Sequence, residues 1–88
     1  MDREHRLKRL RFRAWHRGTK EADLLIGGFF NAHGAGWDLA EIALFEELLE
    51  EQDVDIMAWA MGTASVPERY AGTVMNALKT LSYVPISE

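Results

Sequence analysis

Apolar residues recur along this chain at intervals of three and four with polar positions between them, a spacing that predicts helices joined by short loops. A first helix over about residues 3–16 carries Leu7, Leu10 and Ala14 on one face and Phe12 and Trp15 on another, while Arg6, Arg9, Arg13 and Arg17 share a third sector. Gly18 reads as its left-handed C-terminal stop. A second helix, about 19–33, aligns Ala22, Leu25, Ile26, Phe29 and Phe30 and ends in the Gly34/Gly36 loop, so it is expected to be the central core helix. Gly27 and Gly28 inside it each cost about 1 kcal/mol relative to alanine, which predicts that another helix or a partner backbone approaches closely there. Asp38 and Glu41 form a capping box opening a third helix in which Leu39, Ile42, Phe45 and Leu49 align. Asp53 is placed to cap a short fourth helix bearing Ile56, Met57, Trp59 and Ala60, with Gly62 as its stop. Ser65, Val66, Pro67 and Glu68 read as a second capping box, opening a fifth helix that aligns Tyr70, Val74, Ala77, Leu78 and Leu81 and ends before Pro85. No stretch alternates with period two. The expected fold class is therefore all-α, a compact single-domain bundle of about five helices over residues 1–88.

Composition narrows what such a bundle can do. Eighty-eight residues support one modest core and no cleft between two lobes. Without cysteine there is neither a disulfide framework nor a thiolate metal site. The longest apolar run is only a few residues, far short of the roughly 20 that span a bilayer, and the charged first residues lack the apolar stretch of a secretory signal. Export and membrane insertion are not expected, which fits a bacterial cytoplasm or, in a eukaryote, a mitochondrial matrix.

Charge is polarised. Residues 1–20 hold eight Lys/Arg against Asp2 and Glu4, a balance of +6, whereas residues 21–88 hold Arg69 and Lys79 against twelve acids, a balance of -10. The asymmetry implies an electrostatic partner or internal pairing between the halves. Glu46, Glu47, Glu50 and Glu51 crowd the end of the third helix, where acids oppose the helix dipole. The arginine sector of the first helix is placed to offset them, or else is a solvated face.

Several kinds of chemistry lack their residues. His5, His16 and His33 form no metal-ligand pair at helical spacing, and no acidic cluster has calcium-loop spacing. No glycine pattern of the phosphate-cradling type occurs. Ser65 and Ser82 have no evident base and orienting acid. Glu21 and Asp23, the remaining acid–base candidates, lie about 200° apart on a helix and so do not converge on one substrate. The chain is not expected to be an enzyme.

What stands out is Arg17-Gly18-Thr19-Lys20-Glu21, opposite charges set around a glycine where a basic segment meets an apolar one. A purely structural explanation exists: Arg17 in the last turn of one helix and Glu21 in the first turn of the next each suit the local dipole, and Gly18 supplies the turn. Taken further along the chain, Arg17-Gly18-x-x-Glu21-x-Asp23 is followed by Leu24-Leu25, Phe29-Phe30, and then Leu48-Leu49-Glu50 with Asp53, Asp55, Ile56 and Trp59. This ordered pair of patterns, over about residues 5–82, resembles the succinate dehydrogenase assembly factors, the small flavinylation factors of the SdhE type.

The resemblance implies a five-helix domain that binds the flavoprotein subunit of succinate dehydrogenase, or of fumarate reductase, and assists covalent attachment of FAD to a histidine of that subunit. By the same resemblance the partner-binding surface comprises Arg17, Gly18, Glu21 and Asp23, with His16 and Lys20 at its rim. Asp53, Asp55 and Trp59 match the second pattern and are read first as cap and core, secondarily as interface. The chain itself is expected to hold no cofactor stably, bind no metal and act as a monomer. It departs from the family pattern in a glycine-richer His33-Gly34-Ala35-Gly36 loop and a less charged fifth helix. The alternative is a small nucleic-acid-binding module using the basic first helix, against which the acidic remainder would repel the same ligand.

Overall fold

The computed structural model describes residues 2–81. Helix α1 spans Arg3–Trp15, α2 Lys20–His33, α3 Leu39–Leu48, α4 Asp53–Met61 and α5 Thr73–Thr80, with short 3₁₀ turns at Gly34–Gly36 and Glu68–Tyr70. No strand occurs among the described residues, so the all-α expectation holds. Helix α5 ends at Thr80 with Leu81 as its cap, before Pro85 as expected; Pro85 itself and the reading of Ser82 lie outside the described residues.

Three of the helices, α1, α2 and α3, begin where a side chain satisfies one of the first N–H groups. Asp2 accepts from the His5 N–H and Thr19 from that of Ala22, while Asp38 and Glu41 exchange both bonds of a capping box. The Glu41 carboxylate also accepts from the Thr73 hydroxyl at 3.0 Å, tying the start of α5 to that of α3. Helix α2 is the core element: Ala22, Leu25, Ile26, Phe29 and Phe30 are all buried. Around it close Leu10 and Ala14 of α1, Ile42, Phe45 and Leu48 of α3, Ile56 and Trp59 of α4, and Val74, Met75 and Leu78 of α5. Phe29, Phe30, Trp37 and Phe45 form one aromatic cluster with ring centroids 4.8–6.0 Å apart.

The close approach expected at the α2 glycines is made at Gly27 by another helix, α1, through a side chain. The Trp15 indole lies flat against Gly27, so that a Cβ there would sit 2.7 Å from Trp15 Cγ and closer still to the fused ring. The Trp15 Nε1–H donates to Asn31 Oδ1 at 3.2 Å, which fixes the ring along the α1/α2 seam.

Four local expectations are overturned. Leu39 is 57% exposed, because it lies roughly 100° around α3 from the face shared by Ile42, Phe45 and Leu49; Leu48 is buried instead. Arg17 lies beyond α1, whose cap is His16, so the left-handed stop expected at Gly18 falls two residues later as a turn with φ of +119°. Asp53 is not a cap: Gln52 holds that position without a side-chain bond, and Asp53 is the first residue of α4 with its carboxylate engaged elsewhere. The Ser65 capping box does not form, since Pro67 leads into the 3₁₀ turn and α5 starts only after Gly72, whose φ of +138° breaks any continuous helix from Glu68.

That break lets Tyr70 point into the protein. Its ring packs 5.6 Å from that of Trp59, and its hydroxyl donates to Glu51 Oε2 at 2.6 Å, a carboxylate that also pairs with Arg69. Burial, with the Glu51 hydrogen bond second, pushes the Tyr70 hydroxyl up to about 12. The folded pKa exceeds the unfolded value near 10, so the neutral phenol favours the fold below about pH 10, and that contribution disappears as pH rises toward 12. Urea midpoints measured across this range should fall less steeply for Tyr70→Phe than for the wild type; equal slopes would contradict the assignment.

Candidate functional site

Three arginines of the predicted sector, Arg6, Arg13 and Arg17, reach acids elsewhere in the chain, while Arg9 is exposed. Arg6 grips Glu46 with both arms of its fork, at 2.7 and 3.1 Å, Arg13 reaches Glu50 at 2.6 Å, and Arg17 reaches Asp53 at 2.7 Å. Arg3 adds hydrogen bonds to the carbonyls of Ala35 and Trp37 at 2.6 and 2.9 Å. Two of the acids that oppose the α3 dipole, Glu46 and Glu50, are thus met by cations of α1. The hydrogen bond from Arg6 holds the Glu46 carboxyl below the usual carboxylate range, with the charges of Arg6, Arg13 and Arg9 adding to it. A basic strip engaged in this way is poorly suited to phosphate contacts, and the nucleic-acid alternative finds no support.

Beyond Trp15 the chain reverses through residues 16–19 into α2. Two bonds define this corner. The Arg17 N–H donates to Asp23 Oδ1 at 2.6 Å across the turn, and the Thr19 hydroxyl oxygen accepts from the Ala22 N–H at 3.1 Å. The Arg17 side chain, only 12% exposed, passes under the corner to the α3–α4 connection. There it meets Asp53 and donates to the carbonyls of Leu49 and Glu51 at 3.0 and 3.2 Å.

The other predicted residues separate by exposure. Gly18 is exposed, with nothing within 4 Å of where a Cβ would stand, and its positive φ disfavours any other residue. Lys20 and Glu21 are exposed in the first turn of α2, and their side chains make no hydrogen bond or ion pair with a described residue. His16 is exposed and stacked on Phe12 at 4.0 Å, with Nδ1–H donating to the Phe12 carbonyl at 2.7 Å. Phe12 itself is 63% exposed. From the second pattern, Asp55 is exposed in the first turn of α4, whereas Trp59 is buried against Tyr70.

Beside Gly18 runs an open groove of about 560 Å³ lined by Trp15, His16, Thr19, Lys20, Asp23 and Leu24. A second, of about 980 Å³, lies on the other side of Trp15, between the start of α1 and the end of α2. Thr19, Leu24 and Trp15 were not singled out as site residues by sequence reasoning. Leu24 carried the one usable signal, an apolar residue off the core stripe of α2. No group of three potential metal ligands occurs among the described residues, and none of their helices is long and apolar enough to cross a membrane. The corner combines an unobstructed stretch of backbone at Gly18, charges of both signs at Lys20 and Glu21 that meet no described residue, and an apolar wall of Trp15 and Leu24.

Comparison with known proteins agrees with the ordered motifs. Residues 8–82 match the family described as flavinator of succinate dehydrogenase. The FAD assembly factor SdhE of Acetobacter pasteurianus is 38% identical over 73 residues, covering 83% of this chain and 67% of that protein. The mitochondrial succinate dehydrogenase assembly factor 2 of Drosophila grimshawi is 34% identical over 76 residues, covering 84% and 52% respectively. Its counterpart in Schizosaccharomyces pombe is 31% identical over 68 residues, covering 77% and 49%. The chain spans about half the length of these mitochondrial relatives.

Proposed function

The chain belongs to the family of succinate dehydrogenase flavinators, and from that premise we propose that it binds the flavoprotein subunit of succinate dehydrogenase, or of fumarate reductase, and promotes covalent attachment of FAD there. The observation carrying this reading is that the family match runs through both motifs and includes the whole α1–α2 corner. FAD belongs to the partner. This chain contributes no reacting group: covalent flavin attachment needs an oriented histidine and stabilised charge on the flavin, and a bound protein can supply orientation without performing the reaction. The corner docks through Gly18, Lys20 and Glu21, and Asp23 keeps the turn in shape. The chain acts as a monomer wherever the flavoprotein is assembled, in bacterial cytoplasm or mitochondrial matrix.

Glu21→Arg isolates the docking surface, since Glu21 is exposed, its side chain pairs with no described residue, and its loss costs the α2 dipole only a few tenths of a kcal/mol. Reversing a charge at an interface is expected to cost on the order of 2 kcal/mol of binding, about thirtyfold in affinity. Co-purification of the flavoprotein from the native host and in-gel flavin fluorescence of that subunit should both drop while Tm stays within a few degrees. Equal fluorescence in cells with and without this chain would remove the functional reading altogether.

A further inference from the structure

The two motifs are separate along the sequence, and Arg17 joins them. Among the described residues, the acceptors of its guanidinium lie within the span of the second pattern: the carboxylate of Asp53, 36 residues away, the carbonyl of Leu49, and that of Glu51 between them. Its backbone N–H is held by Asp23 of the first pattern. Leu49 caps α3, so its carbonyl is one of those a helix end leaves without an intrahelical partner. A planar fork bonding a carboxylate and two carbonyls at once is something arginine does and lysine does not. Asp53 is drawn out of the capping role its position in the sequence suggested, and its carboxylate accepts from the Arg17 Nε–H instead.

We infer that Arg17 is a positioning residue. Lying mostly covered beneath the corner, it anchors the turn to the α3–α4 connection through Asp53 and so sets the direction in which Gly18, Lys20 and Glu21 meet the partner. This rests on the docking role proposed above. Arg17 and Asp53 then form one device: neither touches the flavoprotein, and loss of either misaims the same surface. A residue that met the partner directly would instead act independently of Asp53.

The test is a double-mutant cycle in the full chain with Asp53→Asn, Arg17→Gln and the combination, read in two ways. The first reading is the amide resonances of residues 18–21 in the free protein. The second is Kd for the flavoprotein subunit, measured well below the Tm of every variant, where a residue serving only to hold the fold together would leave Kd unchanged. Asp53→Asn is expected to shift those amide resonances and weaken binding by about tenfold, and the double variant should bind no more weakly than Arg17→Gln alone. Should Arg17→Gln not fold, Arg17→Lys takes its place in the cycle. The inference is overturned if Asp53→Asn leaves the resonances of residues 18–21 in place, or if the two losses of affinity multiply. A wild-type chain that binds no flavoprotein would refute the docking role, while the resonances of the free protein would still decide the positioning.

Discussion

Phe45→Ala is expected to lower stability by about 3–5 kcal/mol, the cost of removing a fully buried aromatic ring from a core that collapses only partly around the void. Phe45 is fully buried and meets Phe29, Phe30 and Trp37, so its loss takes three ring contacts at once and loosens the join between α3, α2 and the loop that links them. Small domains hold only about 5–15 kcal/mol in total. At roughly 4–8 °C per kcal/mol, the thermal midpoint should fall by more than about 10 °C, and the urea midpoint should fall with it. A variant melting within a few degrees of the wild type would mean that Phe45 is not the hub of this core. Phe12→Ala serves as the contrast: the same side chain, mostly exposed, should leave stability nearly unchanged.

Gly27→Val should expel the Trp15 ring from the α1/α2 seam. A Cβ at residue 27 overlaps the indole, and because the obstructing atoms include the ring fusion and Cγ, a rotation of the ring tip does not relieve the clash. Overpacking of this kind costs roughly 1–3 kcal/mol. Gly27→Ala should be milder, since alanine recovers about 1 kcal/mol of helix propensity against the same clash. Displacement would also break the Trp15–Asn31 hydrogen bond and open the wall shared by the two grooves. Tryptophan emission should therefore move to longer wavelength as Tm drops, and affinity for the flavoprotein should weaken. Unchanged emission and Tm in the valine variant would show that the ring is not seated there.

The difference between these glycines explains why one motif was easier to read than the other. Gly18 stands out locally because it interrupts a basic helix, and the structure gives it the positive φ that only a turn needs. Gly27 looks the same on paper as Gly28, and only the packing of α1 across α2 assigns the indole to it. Arg17 shows a similar limit. Its place in an ordered motif was legible, and so was the general fit between an arginine stripe and the acids of α3. That its guanidinium faces inward, leaving Lys20 and Glu21 to face outward, depended on where the α3–α4 connection comes to rest.

Periodicity, part of the capping chemistry and motif order were sufficient to determine the helical class, the first four segments, most of the buried faces and the family, but not the start of α5. Each of these depends on residues within a few positions of one another or on their order along the chain, and local sterics and hydrogen bonding act over that range. Tertiary structure alone decided that Asp53 pairs with Arg17 rather than capping α4, that Tyr70 leaves α5 to bond Glu51, and that Trp15 lies on Gly27. In each case one side chain had a local role and a distant partner open to it. For Asp53 and Tyr70 the distant partner prevailed because leaving a partly buried charge or a buried hydroxyl unpaired costs more than a cap is worth at a solvated helix end, whereas Trp15 removes apolar ring surface from water against Gly27.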